Sequence, residues 1–305
     1  MTDEAQRQRV LDSYRIVDGL PEAAYQDIVQ IAAALCDTPI ALLSLLDRDR
    51  QWFKARLGLD LPQTARSQAV CDHAIRHPDQ MLEVLDLADD PRFADLQMVR
   101  GDTGARFYAG MPLVTEDGVA LGTVCVLDTT PRQLTDAQRD GLRALARTAM
   151  RLLDERRRAL QREREALLQA HPAVSADAGT DGRYRVVILE VQELAALAER
   201  QSERLLGATL QQLDRTLASY VHDGGADTVD RATEHAEFIV MLHGTDAEQK
   251  LRGLREIAAR QQALGLTVLV GDAQAMRADE PIGQVFLRAE AALGAEKDRL
   301  RPQTS

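Results

Sequence analysis

Apolar positions along this chain recur in three patterns, and each predicts a different element. Ile28, Ile31, Ala32 and Leu35 repeat at helical spacing after Pro21, a favoured first-turn residue, so a helix entered at Pro21 with that buried stripe is expected. Pro39 to Leu46 is a short unbroken apolar run, which predicts a central strand. Gln51 to Arg56 follows as its antiparallel neighbour after the polar turn Asp47 to Arg50. A second hairpin is expected from Phe107 to Val114, a turn at Glu116-Asp117-Gly118, and a return strand from Val119 to Leu127. From Thr135 to about His171 the pattern is helical, with no Pro or further Gly after Gly141. Leu153, Leu160 and Leu167 lie seven residues apart in it, while other seam positions such as Arg156 and Glu163 are charged. That predicts a narrow two-helix contact pairing a homodimer, or else a single solvated connector.

His171 to Gly182, rich in Pro, Gly and small residues, reads as a flexible linker. Beyond it, Tyr184 to Gln192 predicts a strand. Leu266, Val268 and Val270 alternate as on a strand with one buried face, and Phe286, Ala289, Leu293 and Lys297 recur at helical spacing. The expected organisation is a first module over 1–152, a helix and linker over 153–182, and a second domain over 183–301.

Composition narrows the classes. A chain of 305 residues fits two domains of about 150 each. No apolar run nears the ~20 residues that span a bilayer, and the first residues lack the apolar core of a signal peptide, so a cytoplasmic protein is expected. A net charge of −11 disfavours nucleic acid and anionic membrane as partners. Three cysteines, Cys36, Cys71 and Cys125, are too few and odd in number for a disulfide framework.

The second domain carries the most informative stretch, Arg231 to Asp246, with Glu234-His235-Ala236-Glu237-Phe238 at its centre. It resembles the GGDEF domain of bacterial diguanylate cyclases, whose hairpin reads R-Y-G-G-D-E-F before an apolar strand. Both glycines and the first acid are replaced. A triphosphate brought against a hairpin needs bare backbone, which glycine supplies. Glu234 and His235 put bulk there, and Glu234 adds a like charge that costs roughly 1 kcal/mol in water and about 4 at an effective dielectric near 20. The D-x-D that ends the first strand in that family reads Glu190 and Gln192 here. Glu190 and Glu237 are therefore the candidate residual metal ligands. The base-reading Asn and Asp fall near Ala198 and Glu199, and the product-binding R-x-x-D reads Gly224 to Asp227 without its arginine. The closing strand and the helix from Leu287 to Lys297 match the family's scaffold. The resemblance implies a domain without catalytic residues, cofactor or metal, kept to bind a partner such as an active cyclase. A weak cyclase using Glu190 and Glu237 across a dimer, and a nucleotide receptor without catalysis, remain open alternatives.

The first module resembles a GAF domain, a small-molecule-sensing fold of bacterial signalling. The residues that carry the likeness are Asp12 to Ile16, Asp49 to Lys54, Val70 to Ile75, Phe107 to Leu113 and Leu121 to Asp128. Together the two resemblances imply an α+β protein of two domains, each a mainly antiparallel sheet flanked by helices. They also imply a small-molecule ligand, of unknown identity, in the first. Trp52, Phe53, Phe107 and Tyr108 are candidates to line its cavity, although alternation on a strand lets only one member of each adjacent pair face inward. Cys71 and His73 form a close Cys/His pair. Cys36 and Cys125 belong to apolar runs, so a four-ligand zinc site is not expected. The simpler reading makes Cys71 a small buried residue and His73 a hydrogen-bonded histidine bordering the pocket; a nucleophilic Cys71 requires a lowered pKa. His235 and His243 are expected on the hairpin surface.

Overall fold

The computed structural model describes residues 3–170, 184–201, 203–222, 227–232 and 236–300. The chain divides into two compact units, Met1–Arg158 and Ala159–Ser305. Each is an α+β unit in which helices flank an antiparallel sheet.

The first unit opens with α1 (Glu4–Tyr14) and α2 (Ala23–Cys36), followed by β1 (Ile40–Leu46), β2 (Arg50–Leu57) and β3 (Gln63–Ala65). Then come α3 (Val70–Ala74), β4 (Leu82–Val84), α4 (Gln97–Arg100), β5 (Phe107–Val114) and β6 (Ala120–Asp128). The strands form one sheet of order β3-β2-β1-β6-β5-β4. Every residue of β1 and of β6 is buried, because these central strands are covered on both faces. Continuous apolar runs are what that environment selects. Along β1, Ile40, Leu42 and Leu46 join the core under α3, and the alternate residues Ala41, Leu43 and Leu45 face the other way.

Two details of α2 differ from expectation. The helix begins at Ala23, two residues after Pro21, and its buried stripe is Tyr25, Ile28, Val29, Ala32, Ala33 and Cys36. Ile31 is 54% exposed and Leu35 37%. The small side chains of Ala32 and Ala33 face inward, so the larger Ile31 and Leu35 are turned towards the rim.

Helix α5 (Asp136–Ala170) starts at a reciprocal cap. The Gln138 backbone N–H donates to Thr135 Oγ1 at 3.3 Å, and the Thr135 N–H donates to Gln138 Oε1 at 2.9 Å. Its buried stripe, Leu142, Ala146, Ala149, Met150 and Leu153, packs in the first unit. Tyr14 Oη donates to Asp154 at 2.6 Å, and the absence of a side chain at Gly141 admits Leu35 of α2. Of the leucines spaced seven apart, Leu153 and Leu160 are 0% and 5% exposed in the single chain. The side chain of Leu167 lies outside the described residues, as does the linker 171–182.

In the second unit, β7 (Tyr184–Val191), α6 (Leu194–Arg200), α7 (Glu203–Val221), β8 (Thr228–Ala232), β9 (Glu237–His243), α8 (Ala247–Gln261), β10 (Val268–Gln274) and α9 (Ile282–Leu300) follow in order. The sheet order β10-β7-β9-β8, with two helical crossovers and a central hairpin, is a split β-α-β arrangement. Leu266 is buried but precedes β10. On the strand itself Leu269 and Gly271 are buried, whereas Val268 and Val270 are only half-buried, one position out of phase with expectation. Gly271 sets the phase. Any Cβ there would lie 2.5 Å from Ala289 O and Leu293 Cβ of α9, so the bare backbone is what lets the helix settle on the strand.

Candidate functional site

Two places in the fold gather chemistry, one in each unit. In the first, the face of the sheet under α3 leaves a cavity of about 570 Å³. Phe53 of β2 and Tyr108 of β5 line it, with Leu42 and Leu127 beside them, and it approaches solvent at the exposed Leu61 and Asp102. Of the residues expected there, Trp52 and Phe107 do not line it. Strand alternation sends their buried side chains away from the cavity face. His73 does not line it either: it is half-buried and packs edge-on against Phe93, with ring centroids 4.9 Å apart. Burial and then the nearby Arg76 hold its imidazole below the usual histidine range.

Cys71 does line the cavity, and it does so together with Cys125 of β6, which the sequence reading placed in an apolar run. Their sulfurs are 3.8 Å apart. Cys71 Sγ accepts hydrogen bonds from Tyr108 Oη, Thr123 Oγ1 and Gln51 Nε2, each at 3.1 Å. Ser44, directly across the sheet from Thr123, places its hydroxyl 3.0 Å from the threonine Oγ1. Buried hydroxyls in the centre of a sheet need partners, and this pair is satisfied through the sulfur. Burial opposes ionisation of Cys71, but donation from Cys125, Ser44, Thr123 and Tyr108 outweighs it and draws the thiol below its ordinary value. Cys125, hydrogen-bonded to Cys71 and buried, is pushed well above the ordinary thiol value.

The second place is the end of the β7–β9 ladder. Glu190 and Glu237 face each other directly in register. Two acids opposed across a sheet repel, so each requires a cation. Lys297 of α9 reaches Glu190 Oε1 at 2.6 Å, and Gln192 Nε2 donates to the same oxygen at 2.9 Å. Arg164, near the end of α5, donates its Nη2 to both Glu237 oxygens at 3.1 and 2.9 Å and its Nη1 to Glu290 at 2.9 Å. Glu237 is 1% exposed. The two candidate metal ligands are thus brought together, and each is held by a cation of the same unit. Among the described residues, no group of three or more His, Cys, Asp or Glu side chains is arranged to hold a metal ion.

Of the altered signature, Glu234 and His235 lie outside the described residues. Ala236 has φ +49°, a left-handed conformation unusual for alanine, and its carbonyl accepts from the Val191 N–H at 3.1 Å. Phe238 is fully buried in the sheet. Asp227, at the end of the altered product-binding pattern, is spent on structure: it accepts from the His243 backbone N–H at 2.6 Å and pairs with Lys250. His243 is only half-buried beside it, not a free surface residue as expected.

Sequence reasoning missed Arg164, Lys297 as a partner of Glu190, and Cys125. For the first two the signal was indirect: pairing the two strands in register sets two acids opposite each other, but does not say which residues supply the cations. Cys125 carried no such signal.

The first unit is thus an antiparallel sheet flanked by helices, with a lined cavity under α3. Residues 20–153 match the family model of the GAF domain, and that part of the chain is a GAF domain. It is 42% identical over 130 residues to a cyclic di-GMP phosphodiesterase of Pseudomonas aeruginosa. That match covers 43% of this chain, in its GAF part, and only 22% of the relative's length. Two solved structures are also similar. The GAF domain of an Acinetobacter phosphoenolpyruvate-protein phosphotransferase is 14% identical, with TM-score 0.37, over 51% of this chain and 96% of that one. The blue-light-absorbing form of the PixJ GAF domain of Thermosynechococcus elongatus is 18% identical, with TM-score 0.38, over 56% of this chain and 99% of that one. No described helix is long and apolar enough to cross a membrane.

Proposed function

We propose that this chain is a non-catalytic signal-transduction protein. Its GAF domain reads a small molecule in the cavity and controls a degenerate GGDEF-like domain that acts by binding, with a protein such as an active cyclase as partner and a homodimer as the working form. The observation that carries the reading is the ion-pair set at Glu190 and Glu237. A magnesium ion would have to displace Lys297 from one carboxylate and Arg164 from the other before it could bridge a triphosphate. The split β-α-β order with its central hairpin is the layout this reading requires, and the phosphodiesterase relative supports a place in cyclic di-GMP signalling.

Incubating the full chain with GTP and Mg²⁺ is expected to yield no cyclic di-GMP above a protein-free blank by mass spectrometry. Steady accumulation that Glu190→Ala abolishes would establish the weak cyclase instead.

A further inference from the structure

Cys71 and Cys125 lie 54 residues apart in sequence and meet only because α3 packs on β6 beneath the cavity. Both sulfurs line that cavity, whose apolar walls include Leu42, Phe53 and Leu127. Among its described lining residues the only charged side chain is the exposed Asp102, so it contains no cation to anchor a carboxylate or phosphate. The lining therefore offers nothing to hold an anion, and its apolar walls beside the sulfurs suit a small, uncharged molecule.

We propose that the Cys71–Cys125 dithiol is a reaction site for an uncharged organic hydroperoxide entering the cavity, which it reduces to the alcohol while closing into a disulfide. The inference rests on the cavity being the sensing site. In the first step the Cys71 sulfur attacks the terminal peroxide oxygen and the O–O bond breaks. The alkoxide leaves as the alcohol, taking up the proton that Cys71 released, and Cys71 becomes a sulfenic acid. In the second step the Cys125 sulfur attacks the Cys71 sulfur, the S–O bond breaks, and hydroxide departs as water with the Cys125 proton. Both peroxide oxygens are reduced and each sulfur loses one electron. The net change is two thiols and ROOH to a disulfide, ROH and water.

The three donors to Cys71 Sγ hold it as the nucleophile, and its lowered pKa agrees with that assignment. Cys125, protonated and 3.8 Å away, is placed to resolve the intermediate. Closing to a disulfide bond of roughly 2.05 Å requires the start of α3 to move towards β6, which disturbs the hydrogen bonds from Gln51 of β2 and Tyr108 of β5. The chemical event is thereby read out on two more strands of the sheet.

The test treats the reduced full chain with one equivalent of cumene hydroperoxide. Expected are a mass loss of 2 Da per chain, a Cys71–Cys125 linked peptide in a non-reducing digest, one equivalent of cumyl alcohol, and a rate at least tenfold that of free cysteine at pH 7. Cys125→Ser should stop at a dimedone-trappable sulfenic acid on Cys71; Cys71→Ser should not react, and Cys36→Ser should behave as the unmodified chain. An unmodified chain that keeps its mass, or that oxidises at Cys36 as readily as at Cys71, overturns the proposal, and peptide mapping decides this even if a variant fails to fold. A co-purified uncharged molecule in the cavity alongside unreactive sulfurs would leave the sensor reading standing while removing this one.

Discussion

Replacing Arg164 with alanine is expected to lower the stability of the second unit by about 3 kcal/mol, the range for breaking a buried ion pair from one side. Glu237 is 1% exposed and sits directly opposite Glu190, so without Arg164 it becomes a buried charge facing a second acid. An exposed pair would cost only about 0–1 kcal/mol, which makes magnitude the discriminator. Arg164 also stacks over the Phe286 ring, 5.4 Å from its centroid, so part of the loss is packing. The double variant R164A/E237Q should recover most of the difference, because glutamine keeps the shape of the glutamate and removes its charge. Urea unfolding followed by circular dichroism measures all three proteins. A loss below about 0.5 kcal/mol for Arg164→Ala would mean the pair carries no weight.

Leu153→Arg is expected to unfold the first unit rather than dissociate a dimer. Leu153 is 0% exposed in the stripe that α5 buries. Truncating such a leucine alone costs about 2–5 kcal/mol, and a charge forced into the same place adds a desolvation penalty. A total on the order of 5 kcal/mol removes most of what holds an ordinary domain together. Gln161→Arg, at an exposed position of the same helix, should change the melting temperature little. Thermal melts paired with light scattering separate the accounts: a folded chain of halved mass after Leu153→Arg would restore the leucine seam as a dimer interface.

The outcome for Leu153 shows where sequence patterning loses information. A seven-residue leucine spacing on a helix marks a buried stripe, but it does not say whether the stripe is covered by a second copy or by the same chain. In α2 the helical period was legible and the phase was not, because the inward residues Ala32 and Ala33 look no more apolar in sequence than the outward Ile31 and Leu35. The unbroken run of β1 and the hairpin of β5 and β6 were legible, since a strand covered on both faces admits little but apolar side chains. Alternation limited each aromatic pair to one cavity residue, and only the register picks out Phe53 and Tyr108. The acids Glu190 and Glu237 were recognisable from the altered cyclase pattern. Their cations were not: Arg164 reads as one more charge on a solvated helix, and its partner lies 73 residues away. The Cys71–Cys125 pair is likewise a product of long-range packing.

If the proposed reading holds, the acid pair of the second unit is closed to a magnesium triphosphate by the protein's own Lys297 and Arg164. Isothermal titration of the full chain with GTP to millimolar concentration in excess Mg²⁺ tests this most directly. The predicted result is heat of dilution alone; a saturable binding heat that disappears in Glu190→Ala would contradict it.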